Sequence, residues 1–116
     1  MCCTASARDI TVAQLLERPR HFAGKRVSVV GYYVAAHEES ELFTSREAAK
    51  RANPPLGIWV EFRRTPDVTS VAHHYARLVG TFHYRPIKDP RMPRGYGHFG
   101  VSPTALLDVT SFVPLR

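Results

Sequence analysis

Residues 26–35 read RVSVVGYYVA, a run of β-branched and aromatic side chains with one glycine, Gly31, near its middle. Side chains of this kind suit a pleated, half-buried surface. A glycine inside a long strand marks a bulge or a sharp bend. Val27, Val29 and Tyr33 alternate with Val30, Tyr32 and Val34, so both faces are apolar and both require cover. The run predicts a long strand that bends and is packed on each side.

Working outward from it, Thr11 with Gln14 three positions on forms a capping box for a short helix whose Val12, Leu15 and Leu16 share one face. Pro19 ends that helix, and His21 to Lys25 make a turn around Gly24 into the strand. Residues 1–10 read as a disordered lead-in. Downstream, a polar turn at His37, Glu38 and Glu39 leads to a second, shorter strand through Leu42 and Phe43, as in a hairpin. Thr44 with Glu47 offers another capping box, for a helix Ser45 to Ala52 closed by Asn53, Pro54 and Pro55. A third strand, Gly57 to Arg63, alternates Ile58, Val60 and Phe62 with Trp59, Glu61 and Arg63. Thr65, Pro66 and Asp67 make a link, with one helical turn near Val71. The fourth strand, Tyr75 to Tyr84, again carries a central glycine, Gly80. The segment from Arg85 to Gly100 holds Pro86, Pro90, Pro93, Gly95, Gly97 and Gly100, a composition for a long loop. Thr104 to Val113 is the last strand.

Five strands, two of them long with a glycine near the middle, and no amphipathic helix long enough to cover an open sheet argue for closure, which removes exposed edges. Gly24-Lys25-Arg26-Val27 leading into Gly31, the Leu42-Phe43 strand and Gly97-His98-Phe99-Gly100 before the last strand give residues 10–114 a pattern that resembles small bacterial OB-fold-like domains of uncharacterised function. The resemblance implies a fold and brings no activity with it. The expected class is mainly β, a five-stranded OB-like closed or partly open barrel with one or two short helices, in a single domain over residues 11–116. One departure stands out: an OB-fold usually carries its helix between strands three and four, whereas the clearer second helix here lies between two and three.

The chain has 116 residues, 44% hydrophobic and 22% charged, within the range of folded globular domains. Sixteen Lys and Arg against ten Asp and Glu give a net charge of +6, which favours an anionic partner without specifying one. Cys2 and Cys3 are adjacent near one end and cannot staple distant parts of the chain. No stretch has the length and hydropathy of a membrane span, and no basic segment followed by an apolar one reads as a signal peptide. A cytoplasmic location is expected from the sequence as written. The second reading is an exported lipoprotein, with Met1-Cys2-Cys3 the remnant left by a trimmed leader.

Gly95 to Gly100 matches the letters GxGxxG, but a dinucleotide fingerprint must follow a strand directly and open a helix. Val101, Ser102 and Pro103 follow instead, so the segment reads as a glycine-rich turn. Of the six histidines, His73 and His74 are adjacent and point to opposite faces of an extended chain, and His83 and His98 have no carboxylate or cysteine at ligand spacing. No hydroxyl, thiol or carboxylate pair sits beside a base in a catalytic pattern. No catalytic residue, metal ligand or cofactor is therefore expected.

The candidate surface is the barrel face formed by strands two and three with the neighbouring loops. If Ile58, Val60 and Phe62 face inward, Trp59 faces out, and the same alternation sets Phe43 beside it. Two exposed rings next to cations would offer a stacking platform for unpaired bases. Arg63, Lys88, Arg91 and Arg94 supply the cations, and Tyr96 and His98 of the long loop complete the candidate set. Glu38, Glu39 and Glu41 on the opposite wall would repel a phosphate backbone. The favoured expectation is thus a non-catalytic binding module with a protein partner of mixed charge. Single-stranded nucleic-acid binding on the same face is the alternative, and a metal-dependent protein using surface histidines stands third.

Overall fold

A computed structural model describes residues 9–36, 39–51, 57–67 and 72–115. Strands β1 (Ile10–Thr11), β2 (Arg26–Ala36), β3 (Glu39–Phe43), β4 (Ile58–Phe62), β5 (His73–Tyr84) and β6 (Thr104–Pro114) run in that order along the chain. Helices α1 (Val12–Glu17) and α2 (Pro19–Phe22) lie between β1 and β2, and α3 (Arg46–Arg51) lies between β3 and β4. The sheet order is β1-β2-β3-β4-β6-β5, and β2 pairs with β5 as well. That last pairing closes β2 to β6 into a five-stranded barrel, mixed because β4 and β6 run parallel while the other neighbours are antiparallel. Three short helices accompany it among the described residues, one more than the upper expectation.

The long strand is covered on both sides, as its two apolar faces require. Along one edge β2 pairs with β5 from Arg26 to Val34. Along the other, β1 runs parallel to Val29 and Val30, and β3 takes over from Tyr32. Its inward side chains Val27, Val29 and Tyr33 join Leu42, Ile58, Val60, Leu78, Phe82, Leu106 and Val109 in the barrel core, and Val12 and Leu15 of α1 pack into the same core. Its outward Tyr32 and Val34 pack with Phe43 under Ala48 of α3. Burial of each such side chain stabilises the fold by about 1.5–3 kcal/mol.

Both mid-strand glycines sit where two backbones touch. A β-carbon at Gly31 would lie 2.6 Å from Val12 Cγ2 and 2.7 Å from the Phe43 carbonyl oxygen. At Gly80 it would lie 2.8 Å from Val109 Cγ2 and 2.9 Å from the Leu107 carbonyl oxygen. Opposite Gly80 the register shifts: Val79 faces Ser111 and Thr81 faces Leu107, so β6 bulges there. The bulge places Asp108 at φ 54°, left-handed backbone that Asp tolerates better than most residues. Its carboxylate takes two hydrogen bonds of 2.6 Å from Arg63 at the end of β4, and its carbonyl accepts one of 3.2 Å from Arg26 of β2. Arg26 also bonds Thr81 and Thr110, so one cluster ties four barrel strands at the bulge.

The helix ends refine three expectations. The Thr11 capping box is present: Gln14 N–H donates to Thr11 Oγ1 at 3.1 Å, and Thr11 N–H donates to Gln14 Oε1 at 2.8 Å. At α3 the cap is Ser45, not Thr44, because Ala48 N–H donates to Ser45 Oγ at 3.1 Å. With Ser45 in the cap, Glu47 stands one position too early to close a box. Pro19 ends α1 but also opens α2, where its missing N–H removes no helical hydrogen bond. Asp9 and Ile10, placed within a disordered lead-in by sequence, belong to the fold. Ile10 pairs with Val29, and Asp9 accepts hydrogen bonds from Ser28 (2.8 Å) and Arg77 (2.9 Å). The rest of the lead-in, the His37-Glu38 turn tip, the Asn53-Pro54-Pro55 stop and the helical turn near Val71 lie outside the described residues.

Gly80→Ala is expected to lower stability by about 1–3 kcal/mol, the range for overpacking a filled site. Urea unfolding checks it through the midpoint at unchanged slope, and an unshifted midpoint would remove the steric reading of the bend.

Candidate functional site

Alternation along β4 and β3 turns Trp59 and Phe43 toward the outside of the barrel, but neither ring forms an open platform. Phe43 is only 3% exposed, because α3 lies across it and Ala48 packs on the ring. The expected pair of exposed rings is therefore corrected on Phe43. Trp59 is half-buried: a β-carbon at Gly97 would come within 3.0 Å of its Cε3, so the long loop lies on the indole. Its Nε1–H donates to Glu61 Oε2 at 2.9 Å.

Arg63, expected among the cations of the face, is committed to Asp108. That paired hydrogen bond raises the guanidinium pKa and lowers the carboxyl pKa. Arg63 thus works as a fastener of the bulge, and its charge is locally compensated.

The other expected residues gather in the loop between β5 and β6, which is folded on itself. Arg85 N–H donates to the Pro103 carbonyl at 2.7 Å, and the Arg85 guanidinium donates to the Arg94 carbonyl at 3.0 Å. The same guanidinium stacks 4.8 Å from the Tyr96 ring centroid. Tyr96 bridges to Ser102 through two backbone hydrogen bonds and meets the His83 ring edge-on at 6.1 Å. Gly95 N–H donates to the Gly100 carbonyl at 2.8 Å, which draws Pro93 and Gly95 against the stretch holding Phe99 and Val101.

Lys88, Asp89, Met92 and Arg94 line a cavity of about 410 Å³ with Arg85 and Pro86. Arg91 reaches Asp89 at 3.3 Å with most of its side chain in solvent, a pairing of small net strength. His98 packs edge-to-face on Phe99 at 4.5 Å. The loop thus carries Arg85, Lys88, Arg91 and Arg94 against Asp89, and it also holds three apolar side chains in water: Met92 (60% exposed), Phe99 (73%) and Val101 (41%). Those three were not singled out from sequence, where their neighbours Pro, Gly and Arg mark only a loop.

The acidic wall is built differently from a solvated hairpin tip. Glu41 pairs across the strands with Trp59 and packs beside Gly57. Burial first, and then the hydrogen bond and charge of Glu39, push its carboxyl from 4.5 up to about 7. With the Glu41 carboxyl pushed up to about 7, this wall is less negative near neutrality than its composition suggests.

Among the described residues, no three His, Cys, Asp or Glu side chains converge as a metal ion requires. His73 is exposed on β5, and the Nδ1 of His74 lies 2.8 Å from the Tyr75 carbonyl. No described helix is long and apolar enough to cross a membrane. The chain matches no protein-family model and no curated protein.

The Glu41 geometry sets a pH dependence. The folded form keeps its proton from about pH 4.5 to about 7, where the unfolded chain has released it. Stability from this group is therefore full below 4.5 and declines as pH rises through that window. Asp9 and Asp108 act outside it, since their pKa values lie below 3.8 and their contribution is lost only in acid. Glu41→Gln should flatten the decline, read as urea midpoints across the window; an unchanged slope in the variant would assign the effect elsewhere.

Proposed function

We propose that this protein is a non-catalytic binding module of OB-like build whose partner is a protein, held by the loop between β5 and β6. The observation that carries the reading is Phe99, 73% exposed on an internally bonded loop that also exposes Met92 and Val101. Three large apolar side chains left in water on one short, braced segment suit an interaction surface. Lys88, Arg91 and Arg94 stand on the same loop, Lys88 and Arg94 beside Met92, so the complementary partner segment carries carboxylates together with apolar anchors. The bracing also reduces the ordering cost of association.

Single-stranded nucleic acid on the strand face is the weaker reading. It needs two open rings, whereas Phe43 lies under α3 and Trp59 under Gly97. A histidine-based metal protein has less support still, since no three His, Cys, Asp or Glu side chains converge among the described residues.

Peptide display against the full chain is expected to select sequences that combine Asp or Glu with apolar residues. Phe99→Ala should weaken a selected peptide about tenfold or more, the size of an interface anchor. Arg91→Ala with Arg94→Ala should reduce the salt dependence of binding. A labelled oligo-dT that binds with a steep salt slope and is indifferent to Phe99→Ala would overturn the reading in favour of nucleic acid.

A further inference from the structure

The opposite end of β5 carries a second concave surface, remote from the loop. The strand runs twelve residues from His73 to Tyr84, so its ends stand roughly 35 Å apart at a strand's rise per residue. At the His73 end, α3, β2 and β5 enclose a groove of about 770 Å³, within the range of small-molecule sites.

Its floor is apolar and aromatic. Tyr32 and Val34 of β2 are buried, and Ala49 of α3 flanks them. Tyr75 meets Tyr32 edge-to-face at 5.0 Å and keeps 39% of its own surface open to the groove. Its hydroxyl accepts a 3.1 Å hydrogen bond from Arg46 N–H, which pins the start of α3 to β5. The walls are therefore fixed to one another before any ligand arrives.

The rim is basic. Arg46 and Lys50 are four residues apart on α3, which sets them on one side of the helix. His73 is two residues from Tyr75, which puts both on the outer face of β5. All three border the groove. Among the described residues, no ion-pair partner engages the side chains of Arg46, Lys50 or His73. Arg26, Arg63 and Arg77, by contrast, are each committed to an aspartate. Among the described residues, the one acid bordering the groove, Glu39, is hydrogen-bonded to Glu41.

We infer that this groove binds a small organic anion with a flat apolar body, an aromatic carboxylate or phosphate ester. Its ring would lie on Tyr75 over Val34 and Ala49, and its charged group would sit between Arg46 and Lys50 with His73 across from them. Face stacking on a tyrosine and hydrogen bonds from two cations fit such a ligand together; a bare anion or a neutral ring meets only half of the site.

The test is an amide NMR titration of the full chain with naphthalene-2-carboxylate, naphthalene-2-carboxamide and inorganic phosphate. The carboxylate is expected to give saturable shifts at Arg46, Ala49, Lys50 and Tyr75. The carboxamide and phosphate should each bind about tenfold more weakly or less, the difference that losing a hydrogen-bonded charge or the ring produces. The Arg46→Ala, Lys50→Ala double variant should lose at least about tenfold, since two charge-assisted contacts go. The charge-preserving Arg46→Lys, Lys50→Arg double variant should keep binding, and well-dispersed amide spectra of both show that they fold. Equal affinity for the carboxamide or for phosphate, unchanged binding by the alanine variant, shifts confined to residues 85–101, or no shifts would each overturn the assignment. None of these results depends on whether the loop binds a protein.

Discussion

Everything in this molecule depends on two close approaches of backbone to backbone, at Gly31 and Gly80. A strand that stays straight cannot serve both walls of a small barrel. At Gly31, β2 bends against α1 and the end of β3, and at Gly80, β5 meets the bulged part of β6. A side chain at either point would meet a carbonyl oxygen below the contact limit, and a carbonyl cannot move aside as a flexible side chain can. The absence of two β-carbons thus permits the β2–β5 pairing. That pairing sets the His73 end of β5 beside α3 and the Tyr84 end beside the long loop, which separates the groove at α3 from the loop.

Closure also decides which cations remain available. The bulge leaves Asp108 with a carboxylate and a carbonyl facing Arg63 and Arg26. The start of the chain brings Asp9 onto Arg77. Three arginines spread over β2, β4 and β5 are in this way absorbed into holding the barrel together. Among the described residues, Arg85, Lys88, Arg91 and Arg94 of the loop and Arg46 and Lys50 of α3 are not used in this way to tie strands together. Those of the loop share it with exposed Met92, Phe99 and Val101, and Arg46 and Lys50 border the groove of Tyr75.

The strands were legible because period-two alternation and mid-strand glycine are local signals, and β2, β4, β5 and β6 lie where those signals stand. The extra edge strand was not, since Ile10 and Thr11 carry no alternation and take their structure from Val29 and Val30. Thr44 and Ser45 are adjacent hydroxyls with the same local meaning, and only the position of Ala48 chooses between them. Phe43 and Trp59 show the larger limit: alternation gives the side of a strand to which a ring points, and it does not give what lies on that side. For Phe43 the cover is α3, and for Trp59 it is Gly97, fixed by the Tyr96–Ser102 bridge. The groove of Arg46, Lys50, His73 and Tyr75 was out of reach for the same reason. Its residues come from segments that only β2–β5 pairing and the Tyr75 hydroxyl bring together.

Covering Trp59 carries a consequence for recognition. An indole left open on the strand face would have made that face the most adhesive surface of the protein. With Gly97 on the ring and Glu61 on its N–H, that surface is satisfied internally, and the apolar exposure moves outward to Met92, Phe99 and Val101. The loop is therefore both a lid for the barrel wall and the carrier of the next exposed ring. Its backbone is fixed by Arg85, Gly95 and Tyr96, so Phe99 is presented on a braced support. A ring held in that way can anchor a partner without first paying to order the segment that bears it.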